Sequence, residues 1–163
     1  KMVALDIQGD DTELDKLIVE DLSDPLQHII RNAIDHGIET SQERVKRGKD
    51  QVGHIKIKTY FMEKDFFIEV SDDGNGINIS KVIEKAIIIG FITKEQALDY
   101  PQEKAISLIF NPGFSTTKKV STLSGRGVGM DVVKSNIEGV NGTCFVDSTR
   151  WKGTTITLRI PID

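Results

Sequence analysis

Three clusters of residue types in this sequence could do chemistry. The first is SGRGVGM at 124–130, where Gly125, Gly127 and Gly129 alternate ahead of a helical-looking run. Glycines let a backbone approach an oxyanion closely, and the N–H groups at a helix start point outward with a favourable dipole. The chemistry would be a cradle for a phosphate chain. The spacing is neither the Rossmann fingerprint nor the Walker pattern, so an ordinary loop-to-helix turn is also open. The second cluster is DDGNG at 72–76, at the end of an expected strand. A carboxylate held there can accept a hydrogen bond from an amine on a flat ring. Asp72 is the candidate, with Gly74 and Gly76 giving the ring room. The alternative is an acidic turn, because Asp-Gly is a common turn dipeptide.

The third cluster is His28, Arg31, Asn32, Asp35 and His36 on one expected helix. His28, Asn32 and His36 are spaced by four and so share a face. Such a face could bind a hydrated Mg²⁺ through the asparagine oxygen, with phosphates completing the shell. It could equally be the solvated side of an amphipathic helix. Zinc is disfavoured, because no third protein ligand is apparent. Together the clusters map onto the parts of a nucleoside triphosphate: metal, base, and a triphosphate under a loop.

The elements that must position these residues are legible from periodicity. Residues 2–7 read as a strand and 12–20 as a short helix. Ser23-Asp24-Pro25 predicts a helix start: a capping side chain, then proline at an early helical position. Leu26, Ile29, Ile30, Ala33 and Ile34 then follow at helical spacing, up to a stop at Gly37. Residues 41–53 are charged and read as a solvated connection, with at most a helical turn. Alternation predicts strands near 55–60 and 67–71, joined by a turn at 63–65. Ser80 is expected to cap a helix reaching Gly90, Pro101 to open another, and 111–124 to be loop. A helix over 128–138 and two strands at 142–148 and 154–160 complete the order. The last two strands can pair as an antiparallel hairpin. The predicted fold is α/β (α+β): a two-layer sandwich with a mixed, largely antiparallel sheet covered on one face by helices.

Composition narrows the class. The 163 residues suffice for a single domain, 1–163, with a sizeable core. With 38% hydrophobic and 28% charged residues the chain reads as globular rather than disordered. A net charge of −4 argues against a nucleic-acid-binding surface over the whole domain and leaves a local basic site open. The one cysteine, Cys144, excludes an internal disulfide and fits a small buried apolar residue in a reducing compartment. No apolar run approaches bilayer-spanning length, so no membrane insertion is expected. The chain opens in the middle of a pattern, which suggests a domain excised from a longer protein.

The motifs resemble the N, G1 and G2 boxes of the ATPase superfamily that joins histidine kinases, DNA gyrase, Hsp90 and MutL. HIIRNAIDHGIE at 28–39, PGFSTT at 112–117 and SGRGVGMDVV at 124–133 are similar to the CheA-type branch of chemotaxis histidine kinases. The resemblance spans nearly the whole chain. It implies a Bergerat-type ATP-binding fold with a mobile lid near 114–123, ATP and Mg²⁺ as cofactors, and protein-histidine kinase activity with little turnover by this domain alone. It implies that Asn32 ligates Mg²⁺, helped by His36, and that His28 stands where many relatives carry a catalytic glutamate. Arg31 and Asp35 would line the site, and Asp72 would accept from the adenine amine beside Gly74 and Gly76. Lys81, Lys85, Ser115, Ser124, Gly125, Gly127, Val128, Gly129 and Met130 would face the phosphates. Asn75 departs from the arginine common there in relatives. The implied partners are a phosphoacceptor histidine domain of the same protein, acting in trans in a dimer, then a response regulator and a receptor-coupling adaptor. The implied location is cytoplasmic, near receptors at the inner face of the membrane. Two other readings stand beside this one: an ATP-hydrolysing clamp of the gyrase or Hsp90 type, and a docking module with its nucleotide site unused.

Overall fold

Along 65–72 the residues Phe66, Ile68 and Val70 alternate with Phe67, Glu69 and Ser71. The period of a strand should therefore bury the first set. It does: all three are at most 3% exposed in a computed structural model that describes residues 1–9, 20, 22–114 and 129–161. The expected helix over 12–20, apart from Glu20, and the whole of the 115–128 segment lie outside the described residues.

The sheet contains β1 (Met2–Gly9), β2 (Val52–Met62), β3 (Asp65–Asp72), β4 (Thr143–Thr149) and β5 (Gly153–Pro161) in the order β1-β2-β3-β5-β4. β1 runs parallel to β2 and every other pair is antiparallel, giving the expected mixed sheet. The register sets Phe66 opposite Ile160, Ile68 opposite Leu158 and Val70 opposite Ile156, so one face carries paired buried apolar side chains. Against it pack α1 (Ser23–Asn32) through Ile29, and the last helix, α6 (Met130–Gly139), through Met130, Val133 and Ile137. A satellite cluster of Ala86, Ile92, Leu108 and Phe114 joins α3 (Ile79–Ile88), α4 (Lys94–Leu98) and α5 (Gln102–Ser107).

Several local expectations need correction. Leu22, already in a helical conformation, is the N-cap of α1 without a side-chain bond, so Ser23 lies inside the helix and accepts from Gln27 instead. Asn78, not Ser80, caps α3 by accepting from the Lys81 N–H at 3.2 Å. Pro101 precedes α5 as its N-cap, leaving Gln102 as the first helical residue. The α1 pattern ends in a wider π turn, Ala33–Gly37, closed by the Ile38 N–H on the Ala33 carbonyl at 2.7 Å. The charged connection contains α2 (Ser41–Lys46), capped by Thr40, and Arg44 within it is buried rather than solvated. α4, with its Thr93 and Gln96 capping box, was not anticipated by periodicity because five residues are too short to show one.

Candidate functional site

The apolar side of α1 is drawn into the core by Ile29 and Ala33, which turns the His-Asn face away from it. His28 and Asn32 are half-buried, whereas Arg31, Asp35 and His36 are exposed. The Asn32 amide nitrogen donates to Sδ of Met130 at 3.3 Å, leaving the amide oxygen as the atom that can face a cation. Lys1 closes the π turn by donating to the carbonyls of Ile34 and Asp35 at 2.8 and 2.9 Å. Those carbonyls belong to the last turn, where helix partners run out.

Asp72 continues the Phe66, Ile68, Val70 alternation and therefore points to the helix-covered face of the sheet. Its Oδ1 accepts from the Gly74 N–H at 2.9 Å, and Oδ2 lies against Gly37, 3.4 Å from where a Cβ on that glycine would stand. Burial pushes the Asp72 carboxyl above the usual carboxylate range. Hydrogen bonds from Gly74 and Thr154 offset part of this, and the neighbouring charges of Asp73 and Glu39 add to it. The Asn75 N–H donates to the Gly37 carbonyl at 2.7 Å, so the turn after β3 is bonded directly to the end of the helix carrying Asn32.

The glycines of that turn meet protein backbone. A Cβ on Gly74 would stand 2.1 Å from the Gly37 carbonyl oxygen. Gly76 has φ +72° and a Cβ there would stand 2.4 Å from the Thr149 carbonyl oxygen, so both position and conformation demand glycine. The β4–β5 turn grips the same segment: the Trp151 N–H donates to the Asn75 carbonyl at 2.6 Å, and Arg150 Nη1 donates to it at 3.1 Å. The arginine expected at position 75 by resemblance is absent, but Arg150 and Arg47 both stack on Trp151 at this edge.

Gly129 is the buried N-cap of α6, and Met130 begins that helix beside Asn32. Lys81 is exposed, while Lys85 Nζ donates to the Phe114 carbonyl at 2.8 Å and so anchors the start of the expected lid. Ser115, Ser124, Gly125, Gly127 and Val128 lie outside the described residues. Thus Asn32 is brought to Met130 and Asp72 to Gly37, five residues further along the same helical run.

Sequence reasoning missed Glu39, Arg44 and Lys49, which surround Asp73 and Gly74. Arg44 and Glu39 side chains are each 1% exposed and pair at 3.0 Å, and Lys49 reaches the other Glu39 oxygen at 2.7 Å. Burial alone would raise the Glu39 carboxyl, but the Lys49 hydrogen bond and the charges of Lys49 and Arg44 hold it below its ordinary range. Nothing in a charged stretch announces which charge will be enclosed.

A mixed five-stranded sheet covered on one face by helices is the fold this chain shares with histidine kinase catalytic domains. Among solved structures, the catalytic domain of histidine kinase ThkA matches 98% of this chain and 78% of its own, at TM-score 0.54 and 18% identity. The histidine kinase domain of the Erythrobacter litoralis EL346 blue-light activated histidine kinase matches 98% and 52%, at TM-score 0.55 and 14% identity. These likenesses are of fold. The chain belongs to the histidine kinase-, DNA gyrase B-, and HSP90-like ATPase family, whose model matches residues 21–163. Over 99% of its length it is 49% identical to the sensor histidine kinase CheAY of Helicobacter pylori and 43% identical to the chemotaxis protein CheA of Bacillus subtilis. It is 48% identical over the same share to CheA of Borreliella burgdorferi. The chain spans only 20%, 24% and 18% of those relatives.

Proposed function

We propose that this chain is the ATP-binding catalytic domain of a CheA-type histidine autokinase, which binds Mg-ATP and presents the γ-phosphate to a histidine on a separate domain. The observation that carries this reading is the Asn75 to Gly37 hydrogen bond of 2.7 Å, which joins the carboxylate turn to the asparagine helix as one surface. The identity to CheA proteins over 99% of the chain supports the kinase branch over the clamp ATPases.

On this reading Asp72 Oδ2 accepts the adenine amine, since Oδ1 already holds the Gly74 N–H. The Asn32 amide oxygen ligates Mg²⁺, with His36 alongside. The donor set fits that ion: the Met130 contact takes the Asn32 amide nitrogen and leaves its oxygen, a hard donor, facing outward. Mg²⁺ keeps several waters and takes one or two protein oxygens plus substrate phosphates. When bound, the ion supplies charge neutralisation on the transferring phosphate. Gly129 and Met130 offer backbone N–H groups at a helix start to the phosphates; Ser115, Ser124, Gly125, Gly127 and Val128, outside the described residues, are the further phosphate contacts that the family resemblance implies. Lys81, Lys85, Arg31 and Asp35 border them. His28, one turn before Asn32, stands where an imidazole can take a proton or hold a phosphate oxygen. Catalysis is then mostly positioning and electrostatics. The acceptor domain acts in trans in a dimer, and a response regulator and receptor-coupling adaptor complete the chemotaxis system at the cytoplasmic face of the membrane.

Titration calorimetry with ATP, with and without Mg²⁺, tests the site. Binding by the wild type that is weakened about tenfold in Asp72→Asn, and that loses its Mg²⁺ dependence in Asn32→Ala, is expected. A folded chain that binds no ATP would overturn the reading. Phosphohistidine formed on an added acceptor domain tests the transfer itself.

A further inference from the structure

Lys49 uses every hydrogen of its ammonium on three acceptors: Glu39 Oε2 at 2.7 Å, the Asp73 carbonyl at 3.0 Å and the Gly74 carbonyl at 2.8 Å. Two of these are backbone oxygens of the turn immediately after Asp72. Arg44 braces the same turn from inside, donating to the Asp73 carbonyl at 3.2 Å and pairing with its carboxylate at 3.0 Å. The other Asp73 oxygen accepts the His54 N–H at 2.8 Å, so this residue is held at both ends. The two cations and two carboxylates cancel in charge. A buried ion pair adds little net stability compared with apolar packing, because desolvation offsets the attraction. What such a network does supply is fixed geometry, and the geometry it fixes is that of residues 73 and 74.

Asp72 Oδ1 takes its hydrogen bond from the Gly74 N–H, so the placement of Gly74, together with the Thr154 backbone hydrogen bond, sets the orientation of the carboxylate. We propose that Lys49 is a positioning residue for base recognition, clamping the Asp73 and Gly74 carbonyls so that the second oxygen of Asp72 is aimed at the nucleotide base. Three separate acceptors around one point suit a lysine, whose donors are arranged about a single nitrogen; the flat fork of arginine cannot reproduce them. The inference rests on the reading of Asp72 as the adenine acceptor.

The test uses the full 163-residue chain and two ligands, ATP and purine riboside triphosphate, which lacks the exocyclic amine. Wild type is expected to prefer ATP. Lys49→Met is expected to weaken ATP binding about tenfold and leave the analogue unchanged, the cost of one misaligned charged hydrogen bond. Asp72→Asn should show the same selective loss, and the double variant should lose no more than either alone, since both act on one contact. Lys49→Arg retains the charge but not the three-way donation, and should fall with Lys49→Met; it carries the test if the methionine variant does not fold. Equal weakening toward both ligands, or additive losses in the double variant, would overturn the proposal and leave Lys49 as a general support of the fold. A wild type that binds both ligands equally would instead remove the Asp72 reading, and this proposal with it.

Discussion

The amide of Asn32, at the end of α1, donates to the sulfur of Met130, the first residue of α6, at 3.3 Å across 98 positions of sequence. This contact joins the residue expected at the metal to the helix start expected at the phosphates, and it selects which end of the amide faces outward.

Met130→Leu isolates that contact. Leucine keeps the buried volume, so stability should fall by less than about 1.5 kcal/mol. The amide would lose its sulfur acceptor and its preferred orientation. ATP affinity measured with and without Mg²⁺ should show a smaller Mg²⁺ effect in the variant. An unchanged Mg²⁺ dependence would mean that Met130 does not orient Asn32.

Asp72 carries a folded-state carboxyl raised first by burial. A raised pKa means the folded protein prefers the protonated form. Its contribution to stability is therefore full below the ordinary aspartate pKa of about 4 and is lost as pH rises through the folded value. Asp72→Asn, which keeps an acceptor for Gly74 but has no charge, should lack this loss. Without nucleotide, thermal melts from acid to neutral pH should show the variant gaining on the wild type as pH rises. A variant that falls behind at neutral pH would contradict the assignment.

Glu39 behaves in the opposite sense. Although burial would raise its pKa, Lys49 and Arg44 lower it overall. Its contribution is present above the ordinary glutamate range and is lost as pH falls through the lowered folded value. Glu39→Gln should leave Lys49 and Arg44 facing a neutral group and cost about 3 to 5 kcal/mol in urea unfolding at neutral pH. The gap from wild type should narrow in acid. A loss under about 1 kcal/mol would place the pair among solvent-screened bridges.

Cys144 packs against the main core, and burial pushes its thiol up to about 12, with Lys134 opposing. The thiolate is the reactive species, so the folded protein should resist iodoacetamide at neutral pH and react on unfolding. Labelling at the same rate in both states would refute this environment.

The placement of much of the candidate site was legible in one dimension because the signals for its elements are local. The alternation of Phe66, Ile68, Val70 and Asp72 marks Asp72 as facing the buried side, and the tight turn that follows needs Gly74 and Gly76. The spacing of Ile29 and Ala33 against Asn32 likewise orients α1. Cap choices at Leu22 and Asn78 were misread because neighbouring Ser, Asn and Pro offer alternative starts of similar local energy. The burial of Arg44 was hidden because its acceptors lie at Glu39, Asp50 and Asp73, and only the folded chain gathers them.

Periodicity and turn chemistry are short-range properties, so the sequence by itself determined the longer elements and their core faces, but not α4 or the capping residues Leu22 and Asn78. The parallel pairing of β1 with β2, the hydrogen bond from Asn75 to Gly37, the orientation of Asn32 by Met130 and the enclosure of Lys49 around the Asp73 turn were decided only by the tertiary structure. Each depends on groups far apart in the chain, and the free energy of such contacts exists only once packing has excluded water and brought both partners together.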